Sequence, residues 1–177
     1  MPVVVTLRRA GTADADLLPD VERDAACAFR AFPALAWLAD EPPLAPKVHR
    51  AHIATGTVWV AHAPEAEDTL AGFLTAELVD ARHLHVLELS VRRAAQGRGI
   101  RRRLLEHAAH DARRRGLESV TLTTFRDVPW NAPFYERVGF EGLPGDLLGP
   151  RLEGILRDEA AHGLVAENRC AMRLRLT

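Results

Sequence analysis

A strand-like run from Leu84 to Val91 feeds a helix-like run from Ile100 to Arg115 through a joint that carries Gln96-Gly-Arg-Gly99. This junction constrains the fold most, because it orders a strand, a tight glycine turn and a helix within about thirty residues. Gly97 and Gly99 allow positive φ and a close approach of the backbone to a bound group. The first amides of the following helix have no partners within it and point at whatever sits before it. Arg98, Arg101, Arg102 and Arg103 crowd that same helix start, where the macrodipole disfavours cations. A multiply charged anion would account for them, and a phosphate-bearing ligand is the leading inference.

The length of 177 residues suits one domain, 1–177, with a single core. A formal net charge of −1 argues against a general nucleic-acid binder, and the arginine-rich stretch from Arg92 to Arg103 lacks the interleaved aromatics of a base-stacking surface. No apolar run approaches the roughly 18 residues that span a membrane, and the N-terminus does not read as a secretory signal. Cys27 and Cys170 are far apart and in no metal or redox spacing. They read as free thiols, and the chain as cytoplasmic with no metal.

Period and punctuation place the other elements. Val3 to Leu7 is a β-branched first strand. Thr12 is placed to cap a helix from Ala13, which continues in pieces to Ala39, with Pro33 interrupting it and Pro42, Pro43 and Pro46 marking a loop. Lys47 to Ala54 adds a helical turn or two. Thr57 to His62 reads as a strand, Pro64 to Asp68 as an acidic hairpin turn, and Leu70 to Val79 and Arg82 to Val91 as longer strands. After the glycines, Ile100, Leu104, Leu105, Ala108, Ala109 and Ala112 form one apolar helix face. Gly116 ends that helix. Val120 to Thr124 is a strand, Pro129 to Val138 a short helix ending at Gly139, Leu147 to His162 a helical insertion, and Asn168 to Leu176 a half-buried closing strand. The order describes a mixed α/β domain.

Two motifs support a resemblance. Gln96-Gly-Arg-Gly-Ile-Arg101 is similar to the Gln/Arg-x-x-Gly-x-Gly/Ala loop that follows the fourth strand of the GNAT-type N-acetyltransferases. Asn131-Ala-Pro-Phe-Tyr-Glu-Arg-Val-Gly-Phe140 resembles the Asn, Tyr and Gly-Phe signature of the same superfamily. A Gly-x-Gly alone is weak; two motifs at this separation with a strand between them are specific. The resemblance covers Leu70 to Gly142. It implies a GNAT-like fold, with a mostly antiparallel mixed sheet of about seven strands flanked by helices. It further implies an acyltransferase that moves an acetyl group from acetyl-CoA, as cosubstrate, to a primary amine by direct attack in a ternary complex. The acceptor would be a small-molecule amine or a peptide amine, without nucleic acid or membrane, and a homodimer stays open. One departure is Arg101, where the family usually has Gly or Ala. Its amide can still donate with the side chain turned outward.

The resemblance also assigns roles. The amides of Gln96, Gly97, Arg98, Gly99, Ile100 and Arg101 would take the pyrophosphate, and the backbones of Leu89, Ser90 and Val91 the acetyl carbonyl and pantetheine. Asn131 would bond the pantetheine arm, or else cap its helix. Tyr135, the only tyrosine of the chain, would protonate the departing thiolate, as a phenol of pKa about 10 can at neutral pH; otherwise it is a core aromatic beside Phe134. The acceptor ammonium must lose a proton before attack. His85, with an ordinary pKa near 6.5, and Glu88 are rival bases, three residues apart and so on opposite faces of a regular strand. The alternative reading is a non-catalytic acyl-CoA-binding regulatory module.

Overall fold

A computed structural model describes residues 5–63 and 69–176. The expected turn at Pro64 to Asp68 and the first residues of the expected strand from Val3 lie outside that range. Seven strands are hydrogen-bonded in the order β1-β2-β3-β4-β5-β7-β6. They are β1 (Thr6–Arg9), β2 (Val58–His62), β3 (Leu70–Leu78), β4 (His83–Val91), β5 (Ser119–Phe125), β6 (Glu141–Gly142) and β7 (Arg169–Arg175). The pairs β1–β2, β2–β3, β5–β7 and β6–β7 are antiparallel, and β4–β5 is parallel. Five α-helices accompany them among the described residues: α1 (Leu18–Ala26), α2 (Pro46–Ala54), α3 (Ile100–Arg114), α4 (Ala132–Val138) and α5 (Gly149–Ala161). The mixed α/β reading and the mostly antiparallel sheet hold. Several boundaries shift by a few residues, and two of the shifts change which residue opens a helix. Gly11, not Thr12, precedes the first helical turn, because the Asp14 carboxylate turns back to accept the Gly11 amide at 2.7 Å. Helix α4 starts at Ala132, with Pro133 rather than Pro129 in its first turn.

Contacts gather into two compact units. The first comprises Met1–Glu77 and Leu87–Asp111. In its core Leu18 and Val21 of α1 meet Val58 and Val60 of β2 and Leu70 and Phe73 of β3. Each such buried side chain contributes roughly 1.5–3 kcal/mol. His49 of α2 is fully buried against this core, its Nδ1 hydrogen-bonded to Thr75 Oγ1 at 3.2 Å and its ring edge-on to Phe73. Gly72 permits a close approach within this unit, since a Cβ there would lie 2.8 Å from the Ser90 carbonyl oxygen.

The second unit comprises Leu78–Val86 and Ala112–Thr177. The parallel ladder pairs His83, Leu84 and His85 with Ser119, Val120 and Thr121, while β5 is paired along its whole length with β7. The inserted helix α5 lies against this ladder. Arg169 of β7 makes two hydrogen bonds of 3.0 Å to the Glu159 carboxylate of α5 and stacks over the Phe125 ring. Thr123 of β5 donates to the same carboxylate at 2.5 Å. The two cysteines are free thiols, as expected, with Cys170 buried.

Candidate active site

In the first unit, the loop between β4 and α3 has the conformation its glycines suggested. Gly97 and Gly99 sit at φ +76° and +75°, the left-handed region that any side chain would strain. A Cβ at either position would meet no protein atom within 4 Å, so the space beside this backbone is open to a ligand. Gln96 closes the loop through its side chain, which donates to the Val91 carbonyl at 3.1 Å. The Gly99 carbonyl accepts from the Arg103 amide at 3.1 Å and starts α3. Asp24 of α1 holds the near end of the loop by accepting the Arg93 amide at 2.7 Å.

The arginines are more occupied than their number suggested. Arg102 reaches Glu106 one turn on at 3.5 Å, and Arg103 donates to the Val5 carbonyl at 2.9 Å. Arg101 is not turned fully outward. Its side chain is half-buried, and its charge stabilises the carboxylate of Glu88 on β4. The helix start thus carries less surplus charge than the sequence implied, and the departure at Arg101 serves a neighbouring carboxylate.

Glu88 is half-buried and accepts a 2.6 Å hydrogen bond from Ser90 Oγ. Burial raises its pKa against the opposing pull of Ser90, Arg101 and the Leu89 amide. Glu22 of α1, a residue that sequence reasoning passed over, lies close enough to feel it. Burial first, and the Glu88 charge second, push Glu22 up to about 8 although the Leu44 amide donates to its carboxylate at 3.1 Å. A glutamate inside a helix has no motif, and only packing reveals that it faces another carboxyl group. Burial thus holds both carboxyl groups above the ordinary carboxylate range.

In the second unit, His85 is only 3% exposed, and its Nδ1 is hydrogen-bonded to Thr121 Oγ1 at 2.9 Å. Burial, helped by the Arg151 cation of α5, lowers its pKa to about 4. Such an imidazole stays neutral and is a poor proton acceptor at pH 7. Tyr135 is buried on α4, edge-on to Phe134 and Phe140 with ring centroids 5.3 and 5.6 Å away. Asn131 stands at the N-cap of α4, where its carbonyl accepts the Phe134 and Tyr135 amides while its side chain makes no cap bond. Its side-chain Nδ2 is shielded from water without a hydrogen-bond partner among the described residues. A buried donor of this kind is uncommon and calls for an acceptor.

The sequence profile of the acetyltransferase (GNAT) family matches residues 20–140, more than half of the chain. The chain belongs to this family. The GNAT motifs noted above, the 96–101 loop and the segment from Asn131 to Phe140, both fall within the matched span. Solved structures share the fold. Ard1 from Thermoplasma volcanium superposes with a TM-score of 0.67 at 13% identity, over 99% of each chain. The PaiA N-acetyltransferase from Thermoplasma acidophilum, in complex with coenzyme A, gives 0.67 at 16% identity, over 97% of this chain and 99% of that one. N-acetylglutamate synthase from Neisseria gonorrhoeae, complexed with coenzyme A and N-acetyl-glutamate, gives 0.66 at 20% identity, over 100% of this chain and 36% of its own. At these identities the likeness is one of fold. Among the described residues of this GNAT chain, no helix is long and apolar enough to cross a membrane.

Proposed function

We propose that the chain is an N-acetyltransferase that moves the acetyl group of acetyl-CoA to a primary amine by direct attack in a ternary complex. The observation that carries this reading is the 96–101 loop of a GNAT chain, with two left-handed glycines beside open space at the start of α3. Support comes also from two neighbours of the same fold whose structures contain coenzyme A. Asn131 adds to it, because its buried and unpartnered Nδ2 suits a carbonyl of the pantetheine arm.

Acetyl-CoA, when bound, supplies the acetyl group as a thioester. The amides of residues 96–101 take its pyrophosphate, which the helix dipole favours. The backbones of Leu89, Ser90 and Val91 hold the acetyl carbonyl and the pantetheine, and one strand amide supports the oxyanion of the attacked carbonyl. Glu88 is the base: its carboxylate takes a proton from the acceptor ammonium, freeing the nitrogen lone pair to bond the acetyl carbon. As the carbon–sulfur bond breaks, the Tyr135 hydroxyl protonates the departing sulfur, and the second proton of the new amide nitrogen restores the phenol. His85 is left as an interior histidine, since burial keeps it neutral.

The acceptor is a small-molecule or peptide amine of unspecified identity. Release of the CoA thiol, followed across a panel of amines, tests the reading together with thermal denaturation in millimolar acetyl-CoA. Acetyl-CoA should raise the melting temperature, and Tyr135→Phe should lower kcat about 10²-fold with little change in cofactor affinity. Absence of any thermal shift would sink the proposal. A shift without thiol release from any amine would make the chain a non-catalytic CoA-binding module.

A further inference from the structure

The second unit contains an open groove lined by none of the residues assigned above to acetyl transfer. Its volume is about 510 Å³, within the roughly 300–1,000 Å³ range of small-molecule sites. It lies at the first residues of β4 and β5 and the last of β7, with Leu117 and Leu176 as apolar surface and His83, Ser119, Arg173 and Arg175 as polar wall. The register explains the grouping. His83, Ser119 and Arg175 occupy one row across the three strands, and His85, Thr121 and Arg173 the row two residues along, so period two sends all six side chains to one face. Helix α5 reaches this face through Arg151 to Thr121 and Glu159 to Thr123. The groove opens at the row before.

Charge and hydrogen bonding specify the occupant. Glu118 also lines the groove, but its carboxylate is bonded to Arg82 with Nε at 2.6 Å. Ser119 Oγ and His83 Nδ1 satisfy each other at 3.0 Å. Among the lining residues Glu118 is thus already engaged, while Arg173, whose cross-strand partner on β6 is Glu141, and Arg175 are the two guanidinium groups. The Arg173 Nε is shielded from water and has no hydrogen-bond partner among the described residues, an unfavourable state for a charged donor. Guanidinium groups favour planar or tetrahedral oxyanions through paired N–H donors. We infer that the groove binds a small organic anion, whose carboxylate or phosphate group meets Arg173 and Arg175 while a short apolar body covers Leu117 and Leu176.

Calorimetric titration of the full chain tests this, with saturating CoA present so that the 96–101 loop is closed to the probes. The probes are hexyl phosphate, hexanoate and inorganic phosphate. At least one amphiphile should bind saturably at one site and at least tenfold more tightly than inorganic phosphate; which of the two binds distinguishes a phosphate from a carboxylate ligand. Arg175→Gln, at an exposed position, should weaken that binding about tenfold while leaving the circular dichroism spectrum unchanged. Arg173→Gln with Arg175→Gln should abolish it. Failure of both amphiphiles to bind, affinity no better than that of inorganic phosphate, or unchanged affinity in folded Arg175→Gln overturns the inference. Loss of binding in folded Arg175→Gln reports on the groove whether or not CoA occupies the loop, and thiol release tests the acetyl-transfer reading separately.

Discussion

Glu88 and His85 are three residues apart on one strand, yet their surroundings assign them different chemistry. Glu88 keeps some exposure and holds its proton more tightly than an ordinary carboxylate, whereas His85 is interior and drops to about 4. Glu88→Gln should therefore lower kcat/KM about 10²-fold or more, while His85→Asn should change it less than tenfold, both read from steady-state thiol release. The reverse ranking would return the base to His85. Gly72 is a second single-residue constraint. An added methyl group 2.8 Å from the Ser90 carbonyl oxygen must displace backbone rather than a flexible side chain. Gly72→Ala should cost roughly 1–3 kcal/mol in urea denaturation, against a small effect for a glycine facing open space.

Helix α5 illustrates what an element adds. Its apolar pattern is modest, and it is held instead by polar contacts: the Glu159 carboxylate accepts from Arg169 twice and from Thr123 once. Arg169 is only 9% exposed, so removing its partner would strand a buried cation. Glu159→Ala should destabilise the fold by about 3 kcal/mol, measured by chemical denaturation, and Glu159→Gln by less because it keeps an acceptor. The hydrogen bond from Arg151 to Thr121 is longer, at 3.4 Å, and Arg151 matters more for its charge beside His85. Helix α5 thus contributes to keeping that imidazole neutral. The loop before α3 is similarly an element-level device. The Gln96 side chain and Asp24 fix its near end and Gly99 its far end, leaving the glycines between to set its shape.

At the scale of the molecule these titrating groups give stability opposite slopes with pH. His85 and His49 have lowered pKa values in the fold, so the native state binds fewer protons than the unfolded chain. Stability is then full above pH 6.5 and falls as pH drops toward 4, by about 3 kcal/mol for His85 alone. Glu22 is raised to about 8 and Glu88 is raised as well, so the native state binds more protons and stability falls as pH climbs from about 4.5 toward 8. The two slopes oppose each other from about pH 4.5 to 6.5, and above that the carboxyl groups act alone, so in a pH series the melting temperature should fall from pH 6.5 toward 8. His85→Asn should shallow the acid limb and Glu22→Gln the alkaline one. A profile flat from pH 6.5 to 8 would refute the Glu22 assignment, and an acid limb unchanged in His85→Asn would refute that of His85.

Much was legible before any coordinates. The Gly-x-Gly turn after a strand, the segment from Asn131 to Phe140, the long strands and the period of α3 follow from local rules, because glycine, proline and side-chain periodicity act within a few residues along the chain. Those rules also indicated the family. Properties that depend on distant neighbours were not legible. Glu22 and Glu88 lie 66 positions apart in the sequence, His85 and Thr121 meet only through the parallel ladder, and Arg173 and Arg175 share a wall with His83 only through strand pairing. Proton affinity is set by burial and nearby charge, neither of which has a period or a motif. The sequence by itself therefore determined the elements, the family and the left-handed glycine turn before α3. The tertiary structure added which groups are buried together: the raised carboxyl groups of Glu22 and Glu88, the neutral His85, and the arginines of the proposed second site.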